Sequence, residues 1–205
     1  MMKLYNGISP NGLRVTIFLA EKKIEVPTQQ INIIGGEARQ EAFRKINPLP
    51  QVPVLELDDG VRLTESIAIC RYLERLNPEP ALFGKSSQEE AVIEMWMRRI
   101  ELNLFDTISS IGLHELEFFK DTLEQNASYT ASQRREFARR LAWFDEAMSD
   151  GRLFVAGKTF SIADIVGMGM LFLMQFSGVE LPPKLTHARR WETAMKARPS
   201  FPGTP

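Results

Sequence analysis

The chain has 205 residues and 44% of them are apolar, which is enough for one large hydrophobic core or two smaller ones. Its formal net charge of -1 gives no basic excess, so we expect neither nucleic acid nor a membrane surface as a partner. A single cysteine, Cys70, excludes a disulfide within the chain and indicates a reducing, cytoplasmic compartment. Because Cys70 falls inside an apolar helical pattern, we predict a buried core thiol. No apolar run is long enough to span a bilayer, and we expect no signal peptide.

The first predicted elements are a strand, a helix and a second strand. Lys3 to Tyr5 form the first strand, and residues 13–22 have the broad apolar stripe of a helix packed on one face. Ser9 is placed as the N-cap of this helix, with Pro10 at its first position. Residues 26–33 predict the second strand. A βαβ unit of this kind is parallel and right-handed almost without exception.

The most informative stretch is residues 47–76, which read NPLPQVPVLELDDGVRLTESIAICRYLERL. Pro53 precedes a short apolar strand, and proline is tolerated there only at the first position or on an edge. A cis bond between Val52 and Pro53 would have a use at this point, because cis X-Pro bonds usually mark a tight turn. It would direct the N–H and C=O of Val52 outward, where an extended peptide could pair with them.

A hairpin and a helix follow this strand. Asp-Gly within residues 58–60 separates two apolar runs, which is a strong hairpin signal. Thr64 is predicted as the N-cap of the next helix, with Glu65 and Ser66 in its first turn. A strand edge and a helix N-terminus thus lie close together, an arrangement that suits a small peptide with an ammonium and a carboxylate.

These elements give the order βαβαββα for residues 1–79. Residues 80–87 read as a linker, and nothing in residues 88–205 predicts a strand. Residues 88–119 and residues 132–148 predict helices instead. The sequence therefore predicts an α/β domain followed by an all-helical domain. In the second domain, Ser161 and Asp164 have the spacing of a capping box, and we interpret them as folding determinants of the apolar helix that they begin.

The run NPLPQVPVLELDDGVRLTESIAICRYLE resembles the N-terminal, thioredoxin-like domain of cytosolic glutathione transferases, and the likeness extends over most of the chain. The resemblance implies a thioredoxin-like fold for the first domain. It also implies that Val52 and Pro53 form the cis turn that pairs with the cysteinyl backbone of glutathione. Glu65 would then take the ammonium of the γ-glutamyl end, and Ser66 would take its carboxylate.

A glutathione enzyme has to ionise a thiol whose pKa is about 8.5. A hydroxyl hydrogen bond to the charged sulfur contributes about 1.5–3 kcal/mol and a helix N-terminus about 0.3–1 kcal/mol, which together lower that pKa by about two units. Ser9 is predicted where both effects meet, and its surroundings resemble the active-site turn of serine-type transferases. Asn11 is the second candidate, from the likeness to the Thr-Pro-Asn-Gly turn of the nu class. Alternatively, Ser9 only caps the helix.

The glycine end of glutathione needs a cation or an amide. Arg39 aligns with a lysine that serves this carboxylate in plant-type members, and Gln51 matches the family's Gln or Lys before the Val-Pro pair. Ala38 stands where many members have a histidine, which is a departure from the pattern. The electrophile pocket is expected between residues 8–9 and an apolar helix near residues 100–113. We find no constellation of metal ligands.

The leading hypothesis is a glutathione transferase that joins the thiolate of glutathione, its co-substrate, to a small hydrophobic electrophile. The resemblance also implies a homodimer in the cytoplasm. Two alternatives stay open: a glutathione-dependent disulfide oxidoreductase of the nu type, and a non-catalytic binding or assembly protein. Isomerase and dehalogenase activities also occur on this scaffold, because function belongs to the site and not to the fold.

Overall fold

The computed structural model describes residues 1–202, so the last three residues of the predicted helical domain lie outside it. The chain divides into two compact units, residues 1–82 and residues from 83 onward. The first contains a four-stranded sheet with helices. The described part of the second contains helices and no β-strand. This confirms the predicted class, α/β followed by all-α. No helix within residues 1–202 has the length and apolar character to cross a membrane.

The first unit has the predicted βαβαββα order. Its sheet has the strand order β2-β1-β3-β4, in which β1 is parallel to β2 and antiparallel to β3, and β3 is antiparallel to β4. The elements are β1 (Lys3–Asn6), α1 (Pro10–Lys22), β2 (Thr28–Gln30), a 3-10 turn (Glu37–Arg39), α2 (Glu41–Arg44), β3 (Val54–Glu56), β4 (Arg62–Leu63) and α3 (Ser66–Leu76).

The second strand is shorter than the predicted range of 26–33. Pro27 has no N–H to donate, and its carbonyl accepts the Leu4 N–H at 2.9 Å. Beyond the strand, the Asn32 side chain accepts the Gly35 N–H at 2.8 Å, which turns the chain out of the sheet. β2 is therefore a short edge strand, and its side chains are exposed.

The core of the first unit contains the aromatic ring of Tyr5 and, as predicted, the thiol of Cys70. Tyr5 is buried and packs edge-on against Phe43, with 6.5 Å between the ring centroids. Cys70 lies fully buried in α3 as a free thiol. Burial raises the pKa of the Cys70 thiol far above its ordinary value, so the thiol is inert.

A buried ion pair holds the segment after α3 onto the first unit. Lys22 Nζ donates to the carbonyl oxygens of Asn77 at 2.7 Å and Pro80 at 2.5 Å, and it lies 2.5 Å from a carboxylate oxygen of Glu74. The other Glu74 oxygen accepts the Leu82 N–H at 2.9 Å. Residues 77–82 are thereby fixed to the ends of α1 and α3.

The second unit is built from helices joined by turns and loops. They are α4 (Ser87–Ile100), a π-helical segment (Glu101–Phe105), α5 (Asp106–Glu115), a 3-10 turn (Glu117–Phe119), α6 (Ala127–Ala147), α7 (Ile162–Phe176) and α8 (Thr186–Lys196). Trp96 on α4 stacks on Trp143 of α6, with 6.2 Å between the ring centroids.

Two details of these helices differ from the sequence prediction. The helix predicted over 88–119 widens into the π-helical segment, where Arg140 donates to the carbonyl oxygen of Asn103 at 2.8 Å and to Thr107 Oγ1 at 2.6 Å. The helix predicted from Ser132 starts at Ala127 instead. Asn126 caps it by accepting the Tyr129 N–H at 3.0 Å.

Asp164 joins three parts of the second unit. Its carboxylate accepts the N–H of Ser161 at 3.0 Å, which confirms the predicted capping box, and the N–H of Val155 at 2.8 Å. It also accepts Trp191 Nε1–H from α8 at 3.0 Å. Burial raises the pKa of Asp164 to about 6, against the lowering effect of these hydrogen bonds.

Candidate functional site

Ser9 lies between β1 and α1, in the cap position that the sequence predicts. Its backbone is extended, with φ -154° and ψ 155°, and Pro10 is the first residue of the helix. Ser9 Oγ accepts the Gly12 N–H at 2.9 Å, which satisfies one free donor of the first turn. Within residues 1–202 the hydroxyl proton of Ser9 has no acceptor, so the cap leaves it available to a ligand.

A recess within the first unit brings together most of the predicted site residues. Asn11 contributes from the first turn of α1, Gln51, Val52 and Pro53 from the entry to β3, and Glu65 and Ser66 from the start of α3. Asn47 and Thr64, which the sequence does not predict as binding residues, complete it. The lining residues are Asn11, Asn47, Gln51, Val52, Pro53, Thr64, Glu65 and Ser66.

The entry to β3 presents an open main chain. The Val52–Pro53 peptide bond is cis, as predicted. In the described chain, residues 1–202, neither the N–H nor the C=O of Val52 has a hydrogen-bond partner. An extended peptide can therefore pair with this residue as with a sheet edge.

The start of α3 corrects one prediction. The helix begins at Ser66, and the preceding residue is Glu65, not the expected cap Thr64. Glu65 has φ 62° and ψ 112°. This positive φ occurs at the last residue before the helix, one position later than the predicted cap Thr64. No side chain caps α3, and the residues at its start, Glu65 and Ser66, line the recess. The first N–H groups and the positive end of the helix dipole therefore belong to this part of the site.

Asn47 and Arg14 are two neighbours that sequence reasoning missed. Asn47 Nδ2 donates to the Gln51 carbonyl oxygen at 2.9 Å, and Asn47 Oδ1 accepts the Leu49 N–H at 3.1 Å, which fixes the loop that carries Gln51. Arg14 is buried in α1, and its Nη1 lies 3.5 Å from Ser66 Oγ. The signals were the Asn-Pro pair at 47–48 and an arginine inside an apolar stripe.

Two predicted residues do not line the recess. Arg39 is exposed at the end of the 3-10 turn. Ser9 lies at the N-terminus of α1, two residues before Asn11, which does line the recess. Among residues 1–202, no group of three or more His, Cys, Asp or Glu side chains could hold a metal ion.

Comparisons with known proteins agree with this architecture. Residues 8–76 match the family described as glutathione S-transferase, N-terminal domain, and residues 94–199 match glutathione S-transferase, C-terminal domain. Glutathione S-transferase 2 of Saccharomyces cerevisiae is 35% identical over 195 residues, covering 93% of this chain and 83% of the relative. Maleylacetoacetate isomerase of Mus musculus is 40% identical over 197 residues, covering 92% and 78%.

A solved structure gives the same answer for the fold. A glutathione S-transferase domain-containing protein from Marinobacter aquaeolei superposes with a TM-score of 0.89 at 35% identity, covering 98% of this chain and all of that one. A thioredoxin-like unit followed by a helical unit is thus the architecture of a glutathione-dependent protein. The chain belongs to the glutathione S-transferase family. Like the yeast relative of that name, it is a glutathione transferase.

Proposed function

We propose that glutathione lies in the recess of the first unit, along the entry to β3 and against the start of α3. The cysteinyl main chain pairs with Val52 beside Pro53. The γ-glutamyl carboxylate meets the Ser66 hydroxyl and the uncapped N–H groups of α3, and Glu65 takes the ammonium. The observation that carries this proposal is that Val52, Glu65 and Ser66 line the same recess. The Glu65 carboxylate can bind a cation there, and the neighbouring Ser66 hydroxyl can bind an anion.

The glycine end extends toward Gln51 in this arrangement. Asn47 Nδ2 donates to the main-chain carbonyl oxygen of Gln51, and Gln51 lines the recess, which supports this assignment. Arg39 stands outside the recess and is exposed, so it serves the glycine carboxylate only as an outer cation. Gln51 is therefore the principal contact that we assign to this end.

Ser9 lowers the pKa of the bound thiol by donating a hydrogen bond from its hydroxyl to the sulfur, which stabilises the thiolate. The oxygen already accepts from Gly12, and the sulfur then lies at the positive end of α1. The side-chain amide of Asn11, which lines the recess, is the second donor. The thiolate attacks an electrophilic carbon of a small hydrophobic substrate: a sulfur–carbon bond forms, and the leaving group departs with the bonding electrons.

Ser9→Ala tests this assignment. We expect the pKa of enzyme-bound glutathione to rise and kcat at neutral pH to fall about 10- to 100-fold, since a hydrogen bond to a charged group contributes about 1.5–3 kcal/mol. Thiolate absorbance against pH and the pH–rate profile with an aryl halide give the two quantities. The exposed serine variant Ser132→Ala is the control. An unchanged thiol pKa in Ser9→Ala would move the role to Asn11 or to the backbone.

Isomerisation is the second candidate, favoured by the relative named maleylacetoacetate isomerase at 40% identity. The same thiolate adds to an activated double bond, the bond rotates, and elimination returns free glutathione. Glutathione is consumed in conjugation and regenerated in isomerisation. Measuring free thiol during turnover of maleylacetoacetate and of an aryl halide therefore separates the two activities.

The family relationship also supports a cytoplasmic homodimer. Met95 and Leu102, which belong to α4 and the segment after it, and Trp143 of α6 expose large apolar side chains of the kind that a partner covers. Light scattering on the purified chain tests the dimer, because a monomer has a mass of 23.3 kDa.

A further inference from the structure

Asn6, the last residue of β1, is buried beside the turn that carries Ser9. Its side chain is only 4% exposed. Nδ2 donates to the Gly12 carbonyl oxygen and to Thr16 Oγ1, both at 3.1 Å, and the Asn6 carbonyl oxygen accepts the Ile31 N–H at 2.7 Å. Asn6 thus joins the end of β1 to the first turns of α1.

Gly12 links Asn6 to Ser9. Its carbonyl accepts from Asn6, and its N–H donates to Ser9 Oγ at 2.9 Å. A Cβ at this position would lie 2.3 Å from Asn6 Oδ1, 2.6 Å from the Gly7 carbonyl oxygen and 2.9 Å from Ser9 Oγ. Gly12 therefore lies closely packed between Asn6, Gly7 and Ser9, and the space there does not admit a side chain.

The chemistry at Asn6 requires an amide. Both Nδ2 protons are directed at oxygen acceptors, which a carboxylate cannot serve. Asn6 Oδ1 is buried and has no hydrogen-bond partner in the described residues 1–202. A buried acceptor without a partner is destabilising, so an apolar side chain would serve packing alone better.

We propose that Asn6 is a positioning residue for the Ser9 hydroxyl, an inference that rests on the role proposed for Ser9. Through Gly12, the Asn6 amide fixes the distance and direction at which Ser9 Oγ meets the sulfur of glutathione. Asn6 contacts neither glutathione nor the electrophile. Its substitution changes thiol ionisation and leaves the main-chain contacts of glutathione at Val52 and Ser66 in place.

Asn6→Asp is the principal test, because it keeps the shape and loses both donors. We expect the pKa of enzyme-bound glutathione to rise by about one unit and kcat at neutral pH to fall about tenfold, while KM for glutathione changes less than about twofold. Asn6→Ala, which adds no charge, is the second variant and covers poor folding of the first. Circular dichroism establishes that each variant is folded.

Thr28→Val is the control, since the exposed Thr28 hydroxyl donates to the Val26 carbonyl oxygen and has no hydrogen bond with Asn6 or Gly12. We expect wild-type thiol pKa and kcat for this variant. Wild-type thiol pKa in both Asn6 variants, with the shift present in Ser9→Ala, overturns the role of Asn6 alone. Wild-type thiol pKa in Ser9→Ala as well overturns the proposed role of Ser9 and, with it, this inference.

Discussion

Glu65 combines a charged side chain with a backbone conformation that favours glycine. Its φ of 62° and ψ of 112° lie in a region that costs a residue with a Cβ about 1–3 kcal/mol. Ser66 starts α3 in the next position, and both residues line the recess. The strain is therefore located at the residue to which we assign the ammonium of glutathione.

Replacing Glu65 separates the strain from the charge. Both Glu65→Ala and Glu65→Gly should lose affinity for glutathione, because the carboxylate is gone. Only Glu65→Gly relieves the backbone, so we expect it to be more stable than Glu65→Ala by about 1 kcal/mol in urea unfolding. Isothermal titration with glutathione gives the affinities.

Glu25 is the control position, since it is exposed and is not among the residues with positive φ. There the order should reverse, with the alanine variant the more stable one. An alanine variant more stable than the glycine variant at Glu65, as at Glu25, would show that the conformation of Glu65 is unstrained.

Secondary structure was predictable where the signal is local. The Ser9 cap, the Asp-Gly hairpin and the Ser161–Asp164 capping box each depend on residues within four positions of one another. Such short-range interactions can be predicted from the local sequence, and the structure contains all three. The π-helical segment was not predictable, because Arg140, which donates to the Asn103 carbonyl, comes from another helix.

The same distinction applies to the site. Val52, Pro53, Glu65 and Ser66 follow from one continuous stretch, and the structure brings them to one recess. Arg14 acts on Ser66 from 52 residues away, so neither its burial nor its contact could be read from local spacing. The binding and catalytic roles assigned to these residues remain predictions.

Asp164 makes the stability of the helical unit dependent on pH. Its pKa is raised from 3.8 to about 6 by burial, so the folded state holds the proton more tightly than the unfolded state. The corresponding stabilisation is complete below pH 3.8 and is lost as pH rises through about 6. Relative to Asp164→Asn, the wild type should lose about 2 kcal/mol of unfolding free energy between pH 4 and pH 7.

Glu136 provides a comparison of opposite sign. Hydrogen bonds from Arg139 and Arg140 lower its pKa from 4.5 to about 2, so its stabilising contribution is present above pH 4.5 and is lost as pH falls through about 2. Urea unfolding of wild type, Asp164→Asn and Glu136→Gln across pH gives both differences. A pH-independent difference between wild type and Asp164→Asn would contradict the raised pKa.

At the scale of the whole chain, Lys22 ties α1, α3 and the segment that leads to the second unit into one network. Its side chain is fully buried with Glu74, so removing the cation alone leaves a buried carboxylate. We expect Lys22→Met to lower the unfolding free energy by about 3–5 kcal/mol. The double variant Lys22→Met/Glu74→Leu should recover part of this loss in urea unfolding, because it removes the unpaired carboxylate but also the acceptor of the Leu82 N–H.

Lys45 offers a matched exposed pair with Glu41, 2.9 Å apart. Lys45→Met should change the unfolding free energy by less than about 1 kcal/mol. Equal effects at Lys45 and Lys22, or a double variant no more stable than Lys22→Met, would show that the buried pair is not the cause.

The positions of the aromatic residues have a practical consequence. All three tryptophans of the chain, Trp96, Trp143 and Trp191, belong to the helical unit. Intrinsic tryptophan fluorescence therefore reports on that unit directly, while the first unit has no indole of its own. A denaturation curve recorded by emission and one recorded by circular dichroism coincide only if both units unfold together, so the chain carries its own optical test of two-state behaviour.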